Sequence, residues 1–364
     1  MTILSPRPGV LDISPYRAGD GVLPGFERPI RLASNEGALG PSPAAAAVLA
    51  GLGDDLHRYP DGGATRLRTA IGQRFGLDPE RIVCGAGSDQ LIDLLCRAYA
   101  GPGDEVLYSA HGFMLYPIVA RAAGATPVAA PETDLCADVD ALLARVTPRT
   151  RILFLANPNN PTGSCLPRQA VRRLRAGLPD GVLLVLDAAY AEYVDWSDYT
   201  AGADLVDAGD NVVMTRTFSK LYALSALRIG WAYCPPAVAD VLNRVRAPFN
   251  VNAAGQAAAI AALGDGRHFD QTRLHTLTWR EWLAERLRDM GLNVPRSHGN
   301  FVLAGFPAEP GRTAHDADDF LRAHGIIARR QDPCGLRDWL RITIGTEQEM
   351  RAVADALARF LDRR

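Results

Sequence analysis

The stretch Thr217-Phe218-Ser219-Lys220, with Arg228 eight positions on, brings together an amine, a hydroxyl and a fixed positive charge. Lys220 is the sole lysine; 38 of the 39 basic residues are arginine. A lysine amine condenses with an aldehyde, and burial beside cations lowers its pKa enough to do so. Arginine cannot replace it, because a guanidinium never gives up its proton. Ser219 and Arg228 flank the lysine in a way that suits a phosphate. Four further groups have the same character. Asp187, closing an apolar run, offers a carboxylate able to pair with a pyridinium nitrogen, which keeps such a ring protonated and able to accept electrons. Tyr190 follows it. Gly85-Ala86-Gly87-Ser88-Asp89 opens a helix, Phe113 offers an aromatic face, and Asn157-Pro158-Asn159-Asn160-Pro161-Thr162-Gly163 can aim an amide at a ligand oxygen.

Each group also has an ordinary structural role. The glycine-rich stretch serves equally as a turn and helix cap. As a dinucleotide fingerprint it is incomplete, since Gln90 stands where glycine or alanine is needed. As an anion site it works physically, because free amides at a helix N-terminus attract a phosphate. Asp187 could be a cap, and a lysine is usually a solvated surface residue. The joint occurrence of all five groups is what points to a charged aromatic cofactor.

These groups share a position in the chain: each follows a short apolar run. Runs at 81–84, 105–108, 151–155, 182–186 and 211–215 read as buried strands, and 88–99 and 116–123 as helices between them. This alternation predicts an α/β fold with a mostly parallel central sheet covered on both faces. In such sheets ligands bind beyond the carboxyl ends of the strands. Residues 1–34, rich in Pro and Gly, read as an N-terminal arm, 35–250 as a large domain and 251–364 as a smaller C-terminal α/β domain. In the last, helices are expected at 253–263, 272–290 and 317–324, and strands at 301–305, 326–329 and 339–344. Thr346 and Glu349 form a capping box for the final helix.

Composition narrows the classes further. The formal net charge is −2, against a basic nucleic-acid surface or a membrane-binding one. There is no apolar run long enough to span a bilayer and no secretory signal core. The six cysteines are widely spaced, with no metal-ligand pattern, which predicts reduced thiols in a cytoplasmic protein and no metal.

Several segments carry a family resemblance: Leu32-Ala33-Ser34-Asn35-Glu36, His57-Arg58-Tyr59-Pro60-Asp61-Gly62-Gly63, Gly87-Ser88-Asp89, Asn159-Asn160-Pro161-Thr162-Gly163, Thr217-Phe218-Ser219-Lys220 with Arg228, and Leu340-Arg341-Ile342-Thr343. On these the chain resembles the fold-type I pyridoxal 5'-phosphate (PLP) aminotransferases, over about residues 11 to 360. Within them it looks like the branch that transaminates histidinol phosphate with 2-oxoglutarate to give imidazole acetol phosphate and glutamate, a step of histidine biosynthesis. The resemblance implies that Lys220 holds the PLP aldehyde as a Schiff base and later moves the proton. It implies that Asp187 holds the ring nitrogen, Tyr190 and Asn160 the ring oxygen, and Phe113 the ring face. The amides of Ser88 and Asp89, with Ser219 and Arg228, would hold the cofactor phosphate. Tyr59 would reach that phosphate from the other subunit of a homodimer with shared active sites. Arg341 would bind the anionic group of the substrate, with Arg329, Tyr16 and Asn35 nearby.

The chain departs from the family pattern at Gly37-Ala38, Gln90, Ala188 and Leu224-Ser225-Ala226. None of these removes a catalytic group, but the first and last lie near the expected pocket. An aromatic amino-acid aminotransferase and a PLP decarboxylase of a phosphorylated amino acid are the alternatives within the class. A nicotinamide-dependent oxidoreductase would need the full glycine fingerprint and an acidic residue near position 109, where Ser109-Ala110-His111 stands. A PLP-fold transcription regulator would need a DNA-binding module, for which the arm leaves no room.

Overall fold

The computed structural model describes residues 6–15 and 19–362. Strand β1 (Ile30–Arg31) lies apart from the central sheet. That sheet is built from β2 (Ile82–Gly85), β3 (Glu105–Ser109), β4 (Thr126–Ala130), β7 (Thr150–Ala156), β8 (Leu183–Asp187), β9 (Val212–Thr217) and β10 (Gly230–Tyr233). A short hairpin, β5 (Glu132–Thr133) and β6 (Cys136–Ala137), lies between β4 and β7 in the chain. The order across the sheet is β2-β10-β9-β8-β7-β3-β4, and only β10 runs antiparallel to its neighbours. Every residue of β2, β8, β9 and β10 is buried, as a sheet covered on both faces requires.

Five of these strands stand where the apolar runs predict them. The other two carry weaker signals. Edge strand β4 contains Pro127 and three small residues, and β10 opens on Gly230 directly after a helical turn. The run at 326–329 resolves into two strands rather than one. Strand β12 (Ile326–Ile327) pairs in parallel with β1, and β13 (Arg329–Gln331) joins β11 (Phe301–Gly305) and β14 (Leu336–Thr343) in an antiparallel sheet ordered β11-β14-β13. Thr346 and Glu349 form the expected capping box on helix Glu347–Leu361.

Among the described residues the structure has three large cores: a first on one face of the central sheet, a second among the C-terminal elements, and a third on the sheet's other face. The helix Ala253–Gly264 adds Ala258, Ala259, Ala262 and Leu263 to the core on one face of the central sheet. Leu32 belongs instead to the C-terminal core, with Ile326, Ile342 and Ile344. The helix Gly266–Asp289, 24 residues long, bridges these two: Phe269 packs on the first core and Leu283, Ala284 and Leu287 on the second. Near the N-terminus, Arg7 donates from its guanidinium to the carbonyl of Ala122 on the helix Leu115–Ala123.

Candidate active site

Because β2, β3, β7, β8 and β9 run the same way, their carboxyl ends deliver their residues to one edge of the sheet. A single cleft there is lined by Ser88, Asp89, Phe113, Asn160, Asp187, Tyr190, Ser219, Lys220 and Arg228 from the central domain. It is closed by Asn35, Arg329 and Arg341 from segments packed with the C-terminal sheet. Two residues singled out from the sequence are not among its described lining. Tyr16 lies outside the described residues, and Tyr59 is 83% exposed, stacked on Phe249 with ring centroids 4.6 Å apart.

Asp187 ends β8 at the base of the cleft and is 5% exposed. Burial pushes its carboxyl up to about 6, while hydrogen bonds pull the other way. The hydroxyl of Tyr116 donates to Oδ2 at 2.9 Å and that of Thr215 to Oδ1 at 3.3 Å. Tyr116 is a functional candidate that the sequence does not disclose, since helical phase alone marks it as core. It stacks face to face on Phe154, with centroids 4.6 Å apart, and meets Phe113 edge-on at 5.8 Å. The residue expected to cover a ring and the residue expected to hold its nitrogen are thus braced by one buried phenol.

Lys220 follows β9 and is half-buried; its Nζ donates to the Ser34 carbonyl at a long 3.4 Å. Burial lowers its pKa to about 8, and the positive charges of Arg341 and Arg228 push the same way. The structure therefore supplies the depressed amine that condensation with an aldehyde needs. The turn carrying Tyr190 is pinned by a buried ion pair, Arg216 to Glu192 at 2.7 Å, with Arg216 set over the rings of Phe75 and Trp231.

At the far end of the cleft lies an anion cup. The helix Ser88–Tyr99 has Gly87 as its N-cap, with no side-chain hydrogen bond to its first amides. Those amides are left for an anion. Gly87 has φ +80°, and a Cβ there would lie 2.4 Å from Arg228 Nη2, so only glycine lets the arginine come this close. Arg228 Nη1 donates to Ser219 Oγ at 3.3 Å, and Nη2 pairs with Asp89 at 3.2 Å. Gln90 turns inward, accepting from the Ala86 amide at 2.9 Å and from Asn250 Nδ2 at 2.8 Å. It holds the loop without adding a charge.

Arg341, on β14, is fixed by its fork: one arm donates to Asn160 Oδ1 and the other to the Ala33 carbonyl at 2.6 Å. With Oδ1 taken, the carboxamide of Asn160 has its N–H groups left to donate. Gly37 also gains a reason here, since a Cβ would stand 2.6 Å from that of Ala223.

A sheet of this topology, a lysine after its sixth parallel strand and an aspartate at the end of the fifth define a class. The chain belongs to the class I and II aminotransferases, whose family model matches residues 27–357. It is 59% identical to the histidinol-phosphate aminotransferase of Paramagnetospirillum magneticum over 361 residues, covering 99% of each chain. It is 60% identical to that of Rhodospirillum centenum over 356 residues, covering 98% of each. Among solved structures it is similar to the histidinol-phosphate aminotransferase of Sinorhizobium meliloti in complex with pyridoxal-5'-phosphate, with TM-score 0.91 and 29% identity, covering 99% of this chain and 98% of that one. The fold is that of the PLP aminotransferases, as the resemblance implies.

Proposed function

We propose that the protein is a PLP-dependent aminotransferase that moves the amino group of histidinol phosphate to 2-oxoglutarate, yielding imidazole acetol phosphate and glutamate in histidine biosynthesis. The observation that carries this is the gathering, in one cleft, of the sole lysine with a depressed pKa, a buried carboxylate and an uncapped helix N-terminus beside an arginine. These residues fit PLP group by group: an amine for its aldehyde, a carboxylate for its ring nitrogen, a cup for its phosphate. When bound, PLP supplies an aldehyde that takes up amino groups and a ring that draws electrons from the substrate carbon.

The chain's own residues do the rest. Asp187, ionised above about pH 6, keeps the proton on the ring nitrogen. Tyr190 and Asn160 would donate to the ring oxygen, and Phe113 would cover the ring face. The Ser88 and Asp89 amides, Ser219 and Arg228 would hold the phosphate and so fix the ring's orientation. The Lys220 amine would move the proton between the substrate carbon and the cofactor carbon, and its pKa, lowered to about 8, brings the free base within reach near neutral pH. Arg341, already held by Asn160 and Ala33, presents its charge to the substrate's anionic group, and Arg329 and Tyr16 take the substrate phosphate. Arg329 and Arg341 line the same cleft, two guanidinium charges that favour an amino donor bearing a phosphate dianion.

The deciding experiment offers the PLP-loaded protein 2-oxoglutarate with histidinol phosphate, phenylalanine, tyrosine or threonine phosphate in turn. Histidinol phosphate is expected to give the highest kcat/KM by at least about 100-fold, the worth of roughly 3 kcal/mol of charge recognition. A preference for phenylalanine would move the reading to an aromatic aminotransferase, and release of carbon dioxide without amino transfer would move it to a decarboxylase. We read the protein as a cytoplasmic homodimer with shared sites. Tyr59, exposed and outside its own chain's cleft, is the residue offered to the partner. Sedimentation at working concentration tests this, and a fully active monomer would contradict it.

A further inference from the structure

Asn35 is 1% exposed and holds an unusual backbone conformation, φ +55°, which asparagine tolerates better than most residues. Its backbone is held there by Asn300, whose Nδ2 donates to the carbonyls of Asn35 at 3.0 Å and Glu36 at 3.2 Å. Its side chain lies between two hydroxyls. Nδ2 meets Tyr190 Oη at 2.8 Å, and Oδ1 meets Thr343 Oγ1 at 3.1 Å. The backbone N–H of Asn35 also donates to Thr343 Oγ1 at 2.9 Å.

A direction follows from these three contacts. A backbone N–H can only donate, so Thr343 Oγ1 accepts there and still has its own hydrogen to place. Thr343 is 2% exposed, and among the described residues the one acceptor within reach of that hydrogen is Asn35 Oδ1. Turning the amide over would put two donors against Oγ1 and leave a buried hydroxyl hydrogen with no acceptor, an arrangement folded proteins avoid. With Oδ1 held by Thr343, Nδ2 must face Tyr190 and donate to it. The Tyr190 oxygen then accepts, and its single hydrogen is left for the cleft, which Tyr190 lines beside Lys220 and Asp187.

We propose that Thr343 is a positioning residue that, through Asn35, sets the direction of the Tyr190 hydroxyl so that it donates into the cofactor cleft. The proposal rests on the PLP reading of that cleft and adds to it a residue that touches neither cofactor nor substrate. A donor at the ring oxygen withdraws charge from it and so makes the neighbouring lysine-derived nitrogen less basic. With Thr343 gone, the amide is free to turn, the tyrosine donates to Asn35 for part of the time, and that nitrogen becomes more basic.

The test uses the PLP-loaded protein and the pH midpoint of its visible absorbance. Thr343→Val and Thr343→Ala are both made, so that the result does not hang on the folding of one of them, with Thr343→Ser as the conservative variant. The midpoint is expected to rise by about one pH unit, tenfold in proton affinity, in Val and Ala, and to stay at the wild-type value in Ser. kcat is expected to fall about tenfold with KM little changed. In a Tyr190→Phe background, itself shifted upward, Thr343→Val should add nothing further to the midpoint. An unshifted midpoint in the Val and Ala variants, or a full additional shift in the Tyr190→Phe background, overturns the proposal. A wild-type protein with no visible absorbance after loading would instead sink the PLP reading beneath it, so the two failures are distinct.

Discussion

Lys220→Ala is expected to lower amino transfer by about 10⁴-fold or more, because it removes both the covalent partner of the aldehyde and the proton-carrying base. Lys220→Arg is expected to be equally inactive, since a guanidinium stays protonated. Neither change removes a strong structural contact: the half-buried amine makes one long hydrogen bond, 3.4 Å to the Ser34 carbonyl, and sits over the Tyr190 ring at 5.7 Å from its centroid. Its lowered pKa gives a second readout. Below about pH 8 the folded apoprotein holds the amine mainly as the cation, and above it mainly as the free base. Capture of pyridoxal by the apoprotein should therefore speed up about tenfold per pH unit to near pH 8 and then level off. A rate that keeps climbing to pH 10 would show an ordinary lysine. The linkage has a definite sign. The unfolded chain holds this proton up to about pH 10.5 and the folded chain only to about 8, so this residue's contribution to stability increases with pH across that window. Lys220→Ala removes that dependence, which a set of thermal melts at pH 7 and pH 10 would register.

Asp187→Asn should separate function from stability more sharply. Amino transfer is expected to fall about 10³-fold, the equivalent of roughly 4 kcal/mol for a buried charge partner lost from the ring nitrogen. The apoprotein should respond in the opposite sense. Asp187 has its carboxyl pushed up to about 6 from an ordinary 3.8, so the folded state binds the extra proton between those values and loses stability as pH rises through them. By pH 7 that loss is on the order of 3 kcal/mol. Asparagine carries no charge, and the Tyr116 hydroxyl can rotate to accept from its amide. The apo variant is therefore expected to melt a few degrees above wild type at pH 7.5 and to lose this advantage near pH 4. Melting curves at the two pH values, with and without PLP, check both halves. A variant with near-native turnover would remove Asp187 from the mechanism.

Much of the site can be read from the sequence because buried parallel strands are plain apolar runs, and the polar residue that ends each run is conspicuous. Asp187, Asn160 and Lys220 stand out in this way, and the sheet brings them to one edge. Tyr116 and Thr343 do not stand out. Tyr116 meets its partner Asp187 across 71 residues, and Thr343 meets Asn35 across 308. Each reads locally as ordinary core on a helix or strand, since neither period nor spacing encodes a hydrogen bond made between distant segments. The same limit appears at residues 326–329, where a single apolar run divides between two sheets because one half pairs with β1 and the other with β14. Strands β4 and β10 escape for a simpler reason: proline, glycine and alanine dilute the apolar signal that marks the other five.

On the proposed function, one lysine carries the cofactor. Borohydride reduction of the PLP-loaded protein, followed by peptide mass mapping, tests it without any turnover assay. The expected result is a single reduced pyridoxyl-phosphate adduct on the peptide bearing Thr217-Phe218-Ser219-Lys220, and none after Lys220→Ala. An adduct confined to the N-terminal amine, or no adduct on a protein that still transaminates, would contradict it.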